Sequence, residues 1–421
     1  MKPDKPLFGF MTRNYLVLTF TSSLWGFAAS ITNTYFSPYV LALDGTETVI
    51  GVVSALGSVS FVIVAIIGGH IADFYGRKKL LGTMTAALGA SQLLVAAAPN
   101  WHFLALAVIV VNVCWIMEPA FWAMLADSIS AERRGVAFSM FSCINFLPWA
   151  VMPFIGGYLI DSYGVLVTMR TTYVALAFLG VISGVVRLSM LKETVTPKKE
   201  TKKVSLKNLG ELAKESFKEH FDTWLSMPHA TLALAISYIL WSFEYGLVEP
   251  YWIVYAEGII GLTSTEWGAV TVTGSIIGLV MKMLIVGKIL DKLGRRKPLL
   301  AVIALDAFTY LMFIHCVNFT QVIIVLAVSS VIWSFYQATY SSLEADLVPK
   351  QRRGRVYAVF SVAWSAFSIP ASLAGGVIYQ QINPQLSFIL ASIVVMLCFV
   401  TTAKFIHTPN KTTKNSNPPR S

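Results

Sequence analysis

The sequence predicts an all-α membrane protein of twelve transmembrane helices arranged in two halves. Apolar residues make up 56% of the 421 residues and charged residues only 13%, which is roughly half the charged share of a soluble globular chain. Apolar runs of about 20 residues, the length that spans a bilayer as a helix, recur twelve times along the chain. A charged turn with one fixed pattern occurs twice and divides these runs into two sets of six.

The repeated turn lies between the second and third apolar runs, at residues 69–79. It combines a carboxylate, a glycine and three cations, and the same combination returns after the eighth run, at residues 287–297. A second landmark is an aspartate followed a few residues later by an Arg-Gly pair. It occurs at Asp127 and again at Asp346, and the separation of these two copies nearly equals that of the two charged turns. Internal repeats of this kind are typical of secondary transporters.

The positive charges follow a topological pattern. Lys and Arg residues precede the first run and follow every second run, whereas the intervening loops contain none. By the positive-inside rule both termini face the cytoplasm, and we expect a multi-pass protein of the plasma membrane in contact with the lipid bilayer. Because this distribution explains the net charge of +10, we expect no nucleic-acid partner.

The two halves set the predicted domain boundaries. We predict an N-terminal six-helix bundle at 1–191, a cytoplasmic linker at 192–228, a C-terminal six-helix bundle at 229–407 and a disordered cytoplasmic tail at 408–421. Within the linker, Leu and Phe recur at roughly helical spacing among Lys and Glu residues, which indicates an amphipathic helix on the membrane surface. A solvated linker with partial helicity is the alternative.

Patterns for catalysis and metal binding are absent from the sequence. The four cysteines have no CxxC spacing, and the six histidines form no metal-spaced pair. A phosphate-binding GxxxxGK[ST] loop is also missing, so ATP is not the direct energy source. We therefore predict that the protein is not an enzyme, binds no metal and uses no cofactor, with a proton gradient as its energy source.

These motifs resemble the major facilitator superfamily of secondary transporters across essentially the whole chain. The strongest matches are Gly69-x3-Asp73-x2-Gly76-Arg77-x-Lys79 and its repeat Gly287-x3-Asp291-Lys292-x-Gly294-Arg295-x-Lys297. The resemblance implies two six-helix bundles related by a pseudo-twofold axis along the membrane normal, with substrate bound between bundles that rock to alternate access. The chain departs from the family pattern at Phe74, where Lys or Arg is usual. Span four also lacks an arginine that is common in proton-driven drug exporters.

The charged turns supply a candidate inner gate. Its residues are Asp73, Gly76, Arg77, Asp127, Arg134, Asp291, Gly294, Arg295, Asp346 and Arg353. A carboxylate is stabilised near a helix N-terminus or a guanidinium, so we expect Asp73 to contact Arg134 and the start of span eleven. In the other half, we expect Asp291 to contact Arg353 and the start of span five. Such contacts would hold the inner side shut in the outward-open state, and positive-inside anchoring is the alternative role for the neighbouring cations.

Ionisable residues deep in the membrane are candidates for the substrate and proton site. Glu118 and Lys282 each precede a landmark aspartate by the same number of residues, which places both about 13–14 Å deep. Glu244 lies near the middle of span seven, and Glu249 lies further out. Charges at such depth cost at least ~2.5–3.5 kcal/mol on insertion scales, so they face partners or water. Asp306 is also deep, but the resemblance places its span at the periphery.

Aromatic and amide side chains extend the candidate cavity. The residues are Trp115, Trp122, Asn145, Trp149, Trp333, Gln337 and Tyr340. Those on span four share one helical face with Glu118, and those on span ten form a comparable stripe. Such stripes are more often packing or interface anchors. Because a deep carboxylate or amide accompanies them here, we interpret them as a cavity wall with stacking and cation–π surfaces.

Glu118 is the candidate for proton coupling, since a carboxylate removed from water can cycle between protonated and ionised forms. A static ion pair of Lys282 with Glu118 or Glu244 is the alternative. We predict a monomeric, proton-coupled antiporter that exports small amphipathic or cationic compounds. Because Lys282 would suit an anion, uptake of an anionic metabolite or sugar is a second interpretation. A non-transporting membrane sensor with a transporter fold is a third.

Overall fold

The computed structural model describes residues 11–195, 218, 221–348 and 353–405. Within these residues the chain is helical apart from short turns, and no strand occurs. The first six helices are α1 (Arg13–Thr34, continued by Phe36–Ala42), α2 (Glu47–Tyr75), α3 (Arg77–Ala96), α4 (Trp101–Asp127), α5 (Arg134–Tyr163) and α6 (Val165–Met190). The second six are α7 (His229–Val248, continued to Ile260), α8 (Ser264–Leu293), α9 (Arg296–Phe313), α10 (Phe319–Leu347), α11 (Arg353–Val377, continued to Ile382) and α12 (Pro384–Phe405). Most of the predicted linker and the whole tail lie outside the described residues.

Eleven of these helices are long and apolar enough to cross a membrane. The exception is α9, whose 18 residues include Arg296, Lys297 and Asp306. The two cations lie in its first turn, where they can reach the membrane surface, and Asp306 is buried inside the protein. None of the three charges therefore has to face lipid, and α9 completes the predicted set of twelve spans.

The helices form two bundles with the same internal packing. In the first bundle α1 packs against α5 and α6, α2 against α4, and α3 against α4 and α6. In the second bundle α7 packs against α11 and α12, α8 against α10, and α9 against α10 and α12. Each pair of the first bundle thus recurs in the second with every helix number raised by six, as a pseudo-twofold repeat requires.

Two helix pairs form the largest contacts between the bundles, α2 with α11 and α5 with α8. The pseudo-twofold repeat relates the two pairs, since α2 corresponds to α8 and α5 corresponds to α11. Glycines allow the close approach in both: a Cβ on Gly157 of α5 would overlap the backbone of Ser264, and one on Gly376 of α11 would overlap that of Thr48. These contacts lie at one end of the molecule, which we call the far end. The opposite end, which carries the turns at Arg77 and Arg295, we call the basic end.

Glu118 and Lys282, which the sequence places at equal depth, both lie at helix interruptions. In α4 a 3-10 turn at Trp115–Met117 comes directly before Glu118, and Pro119 behind it supplies no backbone N–H to the helical ladder. In α8 a π-helical turn, Lys282–Val286, begins at Lys282 itself. Such local departures from α-helical geometry are frequent at functional sites.

Candidate substrate cavity

A cavity of about 1180 Å³ lies between the two bundles. Its wall is built by α1 and α5 of the first bundle and by α7, α8, α9 and α10 of the second. The first bundle contributes hydroxyl, amide, thiol and aromatic side chains, among them Asn33, Ser142 and Cys143. Among the described residues, all acidic and basic side chains of the wall belong to the second bundle. The two halves therefore contribute different chemistry to one site.

Two buried carboxylates lie in the wall that the second bundle forms. Glu244 on α7 is 2% exposed and Asp306 on α9 is 7% exposed, and the two interact electrostatically. The Tyr310 hydroxyl donates a hydrogen bond to Glu244, and the Thr309 hydroxyl lies 3.4 Å from Asp306 Oδ1. Within the described part of the chain, neither carboxylate forms an ion pair with a cation. Two buried carboxylates without a counter-charge are unfavourable in a membrane interior, so the site is suited to binding a positive charge.

Two further ionisable groups face the same space. Glu249 lies in the 3-10 turn that interrupts α7, is exposed towards the cavity and interacts with the Tyr245 hydroxyl. Lys282 is also exposed in the cavity wall, and its Nζ donates to Gln337 Oε1 at 3.1 Å. The ion pair of Lys282 with Glu118 or Glu244, the alternative left open above, is not formed among the described residues.

An aromatic layer supports the cavity wall in the second bundle. The Trp241 ring centroid lies 4.1 Å from that of Tyr336 and 4.9 Å from that of Trp333. Trp333 is 40% exposed and borders the cavity, whereas Tyr340 is buried behind it and stacks on Tyr336 at 4.7 Å. This layer presents an indole face to a ligand that the neighbouring carboxylates can reach.

The five cavity candidates from the first bundle lie away from this cavity. Those outside its wall are Glu118, Trp115, Trp122, Asn145 and Trp149. Glu118 is half-buried and accepts a hydrogen bond from Trp122 Nε1 at 3.4 Å. Asn145 donates to the Phe141 carbonyl at 2.9 Å within its own helix. The structure thus brings together Glu244, Glu249, Lys282, Trp333 and Gln337 and leaves the first-bundle set apart. The reason is that α4 does not border this cavity, and that Asn145 and Trp149 are not among the α5 residues that line it.

The gate candidates lie at the basic end. Gly76 and Gly294 have φ angles of 81° and 74°, which glycine adopts without the strain of a Cβ, and each ends one helix just before the next begins. Arg77 forms an ion pair with Asp127, and Arg295 donates to the Ser342 carbonyl at 3.1 Å. Both arginines therefore tie their turn to another helix of the same bundle.

The cross-bundle gate contacts remain predictions. Arg134 and Asp291 are exposed, and the side chains of Asp73, Asp346 and Arg353 lie outside the described part of the structure. Seven hydrogen bonds between described residues join the bundles at the far end. The molecule is therefore closed at the far end.

Sequence reasoning missed part of this site. It set Asp306 aside as peripheral and did not single out Tyr310, although these two residues are separated by one helical turn and so share a face. Outside the cavity, it also passed over Arg187, which is 5% exposed and donates hydrogen bonds to hydroxyls of α1 and α3. In each case the useful observation was a polar residue inside an apolar run.

Two six-helix bundles with an internal repeat and a polar cavity between them define the chain as a membrane transporter of the alternating-access class. The sequence model of the Major Facilitator Superfamily matches residues 18–371 and 234–421. The chain belongs to this superfamily, and both the resemblance and the predicted fold class are confirmed.

Relatives and solved structures agree with this assignment. The chain is 23% identical over 365 residues to an uncharacterized MFS-type transporter of Methanocaldococcus jannaschii, covering 84% of this chain and 88% of that protein. It is 21% identical over 361 residues to the multi-drug resistance efflux pump PmrA of Streptococcus pneumoniae, covering 82% and 83%. The crystal structure of the human organic anion transporter MFSD10 (TETRAN) matches with a TM-score of 0.67 at 13% identity, covering 93% of this chain and 99% of that one. All three are transporters rather than enzymes.

Proposed function

We propose that the protein is a proton-coupled antiporter that exports small cationic or amphipathic organic molecules. The observation that carries the proposal is the pair of buried carboxylates, Glu244 and Asp306, in the wall of the central cavity without a cationic partner among the described residues. Such a pair needs a positive charge, which a proton or the cationic group of a substrate can supply in turn. Alternating occupancy of one site is sufficient to couple the two movements.

The surroundings of the pair support a cationic, partly aromatic substrate. Glu249 on α7 adds a third carboxylate to the wall, and the exposed indole of Trp333 borders the same cavity. Aromatic faces attract cations most strongly when water is excluded. The relationship to a multi-drug resistance efflux pump supports export as the direction.

The proposal transfers proton coupling from Glu118 to Glu244 and Asp306. Glu118 does not border the cavity in which substrate would bind. Tyr310 and Tyr245 face the two glutamates of α7, and Lys282 faces the same space from α8. Protonation of the pair would therefore change the charge of the cavity without breaking an ion pair.

We assign the basic end to the cytoplasm by the positive-inside rule. The orientation makes this conformation inward-open, with both termini on the cytoplasmic side of a plasma membrane. The proposal treats the protein as a monomer, since each chain contains a whole cavity.

Uptake of an anionic metabolite is the second candidate function. The observation that favours it is Lys282, which is exposed in the cavity wall and, among the described residues, hydrogen-bonds the neutral amide of Gln337. An anion could displace this hydrogen bond and pair with the ammonium group. The proposal ranks this function second because acidic side chains outnumber basic ones in the described wall.

Flux in proteoliposomes tests the proposal. With the membrane potential clamped at zero by potassium and valinomycin, an imposed pH gradient is expected to drive accumulation of a lipophilic cation such as tetraphenylphosphonium. Glu244→Gln and Asp306→Asn are each expected to lower gradient-driven accumulation about tenfold or more. Downhill flux is expected to fall less, because the other member of the pair and Glu249 still bind the cation. Asp44→Asn, an exposed carboxylate in the loop after α1, is the matched control.

Three results would contradict it. Accumulation that does not depend on the pH gradient would rule out proton coupling. Gradient-driven flux that survives in both variants but is lost in Glu118→Gln would return the coupling site to α4. Gradient-driven movement of an organic anion that depends on Lys282 would favour the second candidate function.

A further inference from the structure

The far end of the cavity is closed by a tyrosine at the break in α1. Tyr35 is fully buried, and its hydroxyl lies 2.7 Å from the carbonyl of Pro153 and 2.9 Å from that of Ser264. Pro153 belongs to the first bundle and Ser264 to the second. One hydroxyl group therefore bridges the two bundles at the start of α8.

The repeat places a second tyrosine in the same role. Tyr251 lies at the break in α7, is also fully buried, and its hydroxyl is 3.3 Å from the carbonyl of Glu47 and 3.4 Å from that of Ser372. Here Glu47 belongs to the first bundle and Ser372 to the second. The same bridge is thus built at the start of α2, with longer hydrogen bonds.

A carboxylate strengthens the first of these contacts. Asp161, near the end of α5, accepts hydrogen bonds from the backbone N–H of Ser264 at 3.1 Å and of Thr265 at 2.8 Å, and from the Thr265 hydroxyl. These residues are the first two of α8. Asp161 therefore caps the N-terminus of a helix in the opposite bundle, where unpaired N–H groups and the helix dipole both stabilise negative charge.

The equivalent position in the other half carries a neutral side chain. The Thr48 N–H, at the start of α2, donates to Gln380 Oε1 at 3.1 Å, and the Thr48 hydroxyl donates to the Gly376 carbonyl at 3.2 Å. Gln380 thus satisfies one backbone N–H of α2 without charge, whereas Asp161 satisfies two of α8 with charge. Two contacts related by the same repeat differ in strength.

We infer that Asp161 is a positioning residue of the transport cycle, whose cap on α8 holds the far end shut. Opening the far end requires α5 and α8 to separate, which removes the carboxylate from its N–H donors. The strength of this one contact therefore sets how often the far end opens, and Gln380 makes the smaller contribution in the other half. The inference rests on alternating access and on the proposed orientation, and it is independent of substrate and of proton coupling.

The native cysteines supply a reporter of opening. Cys143 is exposed and lies in the cavity wall, whereas Cys114, Cys316 and Cys398 are buried. A membrane-impermeant maleimide added to intact cells can reach Cys143 only when the far end opens. The same reagent added to inside-out vesicles reaches it from the basic end. Wild-type protein is expected to react faster in vesicles, and faster labelling in cells would show that the proposed orientation is wrong.

The experiment compares three substitutions at the two contacts with one control. Asp161→Asn, which keeps the shape of the side chain, is expected to raise Cys143 labelling in intact cells about fivefold, and Asp161→Ala somewhat more. Gln380→Ala is expected to raise it about twofold at most. Asp44→Asn, which removes a negative charge outside this contact, is expected to leave it unchanged.

Three outcomes would overturn the inference. The first is an unchanged labelling rate in both Asp161 variants. The second is a larger effect of Gln380→Ala than of Asp161→Ala. The third is a rise of similar size in cells and in vesicles together with labelling of the buried cysteines, because this marks general loosening of the fold. Faster labelling in cells, with equal or slower labelling in vesicles, supports the inference.

Discussion

The two ends of the α5–α8 interface differ in how closely the bundles approach. At the far end, a Cβ on Gly157 or Gly268 would overlap backbone atoms of the opposite bundle. At the basic end of the same two helices, no described atom lies within 4 Å of a Cβ placed on Gly135 or Gly287. Glycine is thus used at both ends, but in this conformation only the far-end positions are in contact.

This difference has a physical explanation in the transport cycle. If the bundles rock about a central substrate, contacts that close one end must separate when the other end closes. A residue needed for close approach is then packed in one conformation and unpacked in the other. The open glycines at the basic end are where we expect contact in the opposite conformation, near the predicted gate residues Arg134 and Asp291.

Adding a side chain at a packed far-end glycine is expected to have the largest effect on closure of the far end. Gly157→Val would place methyl groups against Ser264 and Tyr35, and overpacking costs about 1–3 kcal/mol, which is about 5- to 150-fold in the population of the far-end-closed conformation. We expect labelling of Cys143 in intact cells to rise about tenfold or more. We expect the initial transport rate to fall by a similar factor.

Gly135→Val is the matched variant at the basic end. No described atom lies near that position, so the valine has no described neighbour to overlap in this conformation. We expect it to destabilise only the opposite conformation, in which the basic end is closed. We therefore expect no increase in labelling from the far side. A shift of both variants in the same direction would mean that the two ends are not alternatives.

The sequence was sufficient for the architecture because each step depended on local patterns. Apolar length predicted the spans, and the repeated turns predicted the two halves. Gly76 and Gly294 were marked by position, and both have the positive φ that explains a glycine there. Only α9 departs from the simple pattern, because it carries three charges that a span can hold at its start or in its buried face.

The site could be predicted only in part, because the depth of a residue along its helix does not specify which way the helix is rotated or which helices are its neighbours. Glu118 and Lys282 were assigned equal depth, yet only Lys282 borders the cavity. Asp306 was set aside because its helix is peripheral, but it lies on the face that meets α7. The contacts of Asp161 and Tyr35 cross between bundles, and a single sequence contains no information on which distant residues meet.

Removing the hydroxyls of Tyr35 and Tyr251 tests whether the two bridges at the far end differ in strength. A buried hydrogen bond contributes about 0.5–1.5 kcal/mol net, so Tyr35→Phe is expected to raise far-side labelling of Cys143 about fivefold. Tyr251→Phe is expected to raise it about twofold or less, since its hydroxyl lies 3.3–3.4 Å from its acceptors instead of 2.7–2.9 Å. Labelling kinetics in intact cells measure both. Equal effects would show that the two bridges are equivalent despite their geometry.

The smallest effect is expected at the basic end, where Asp127 pairs with Arg77. The Asp127 side chain is 45% exposed and the pair lies within one bundle, so Asp127→Asn should cost about 0.2–1 kcal/mol, as surface ion pairs do. A brace inside one bundle is present in both conformations, and its loss should lower the thermal unfolding temperature slightly without changing Cys143 labelling from either side. Arg77→Gln and the double variant complete a mutant cycle. If Asp127→Asn instead shifts labelling towards one side, these residues exchange partners during the cycle and belong to the predicted gate.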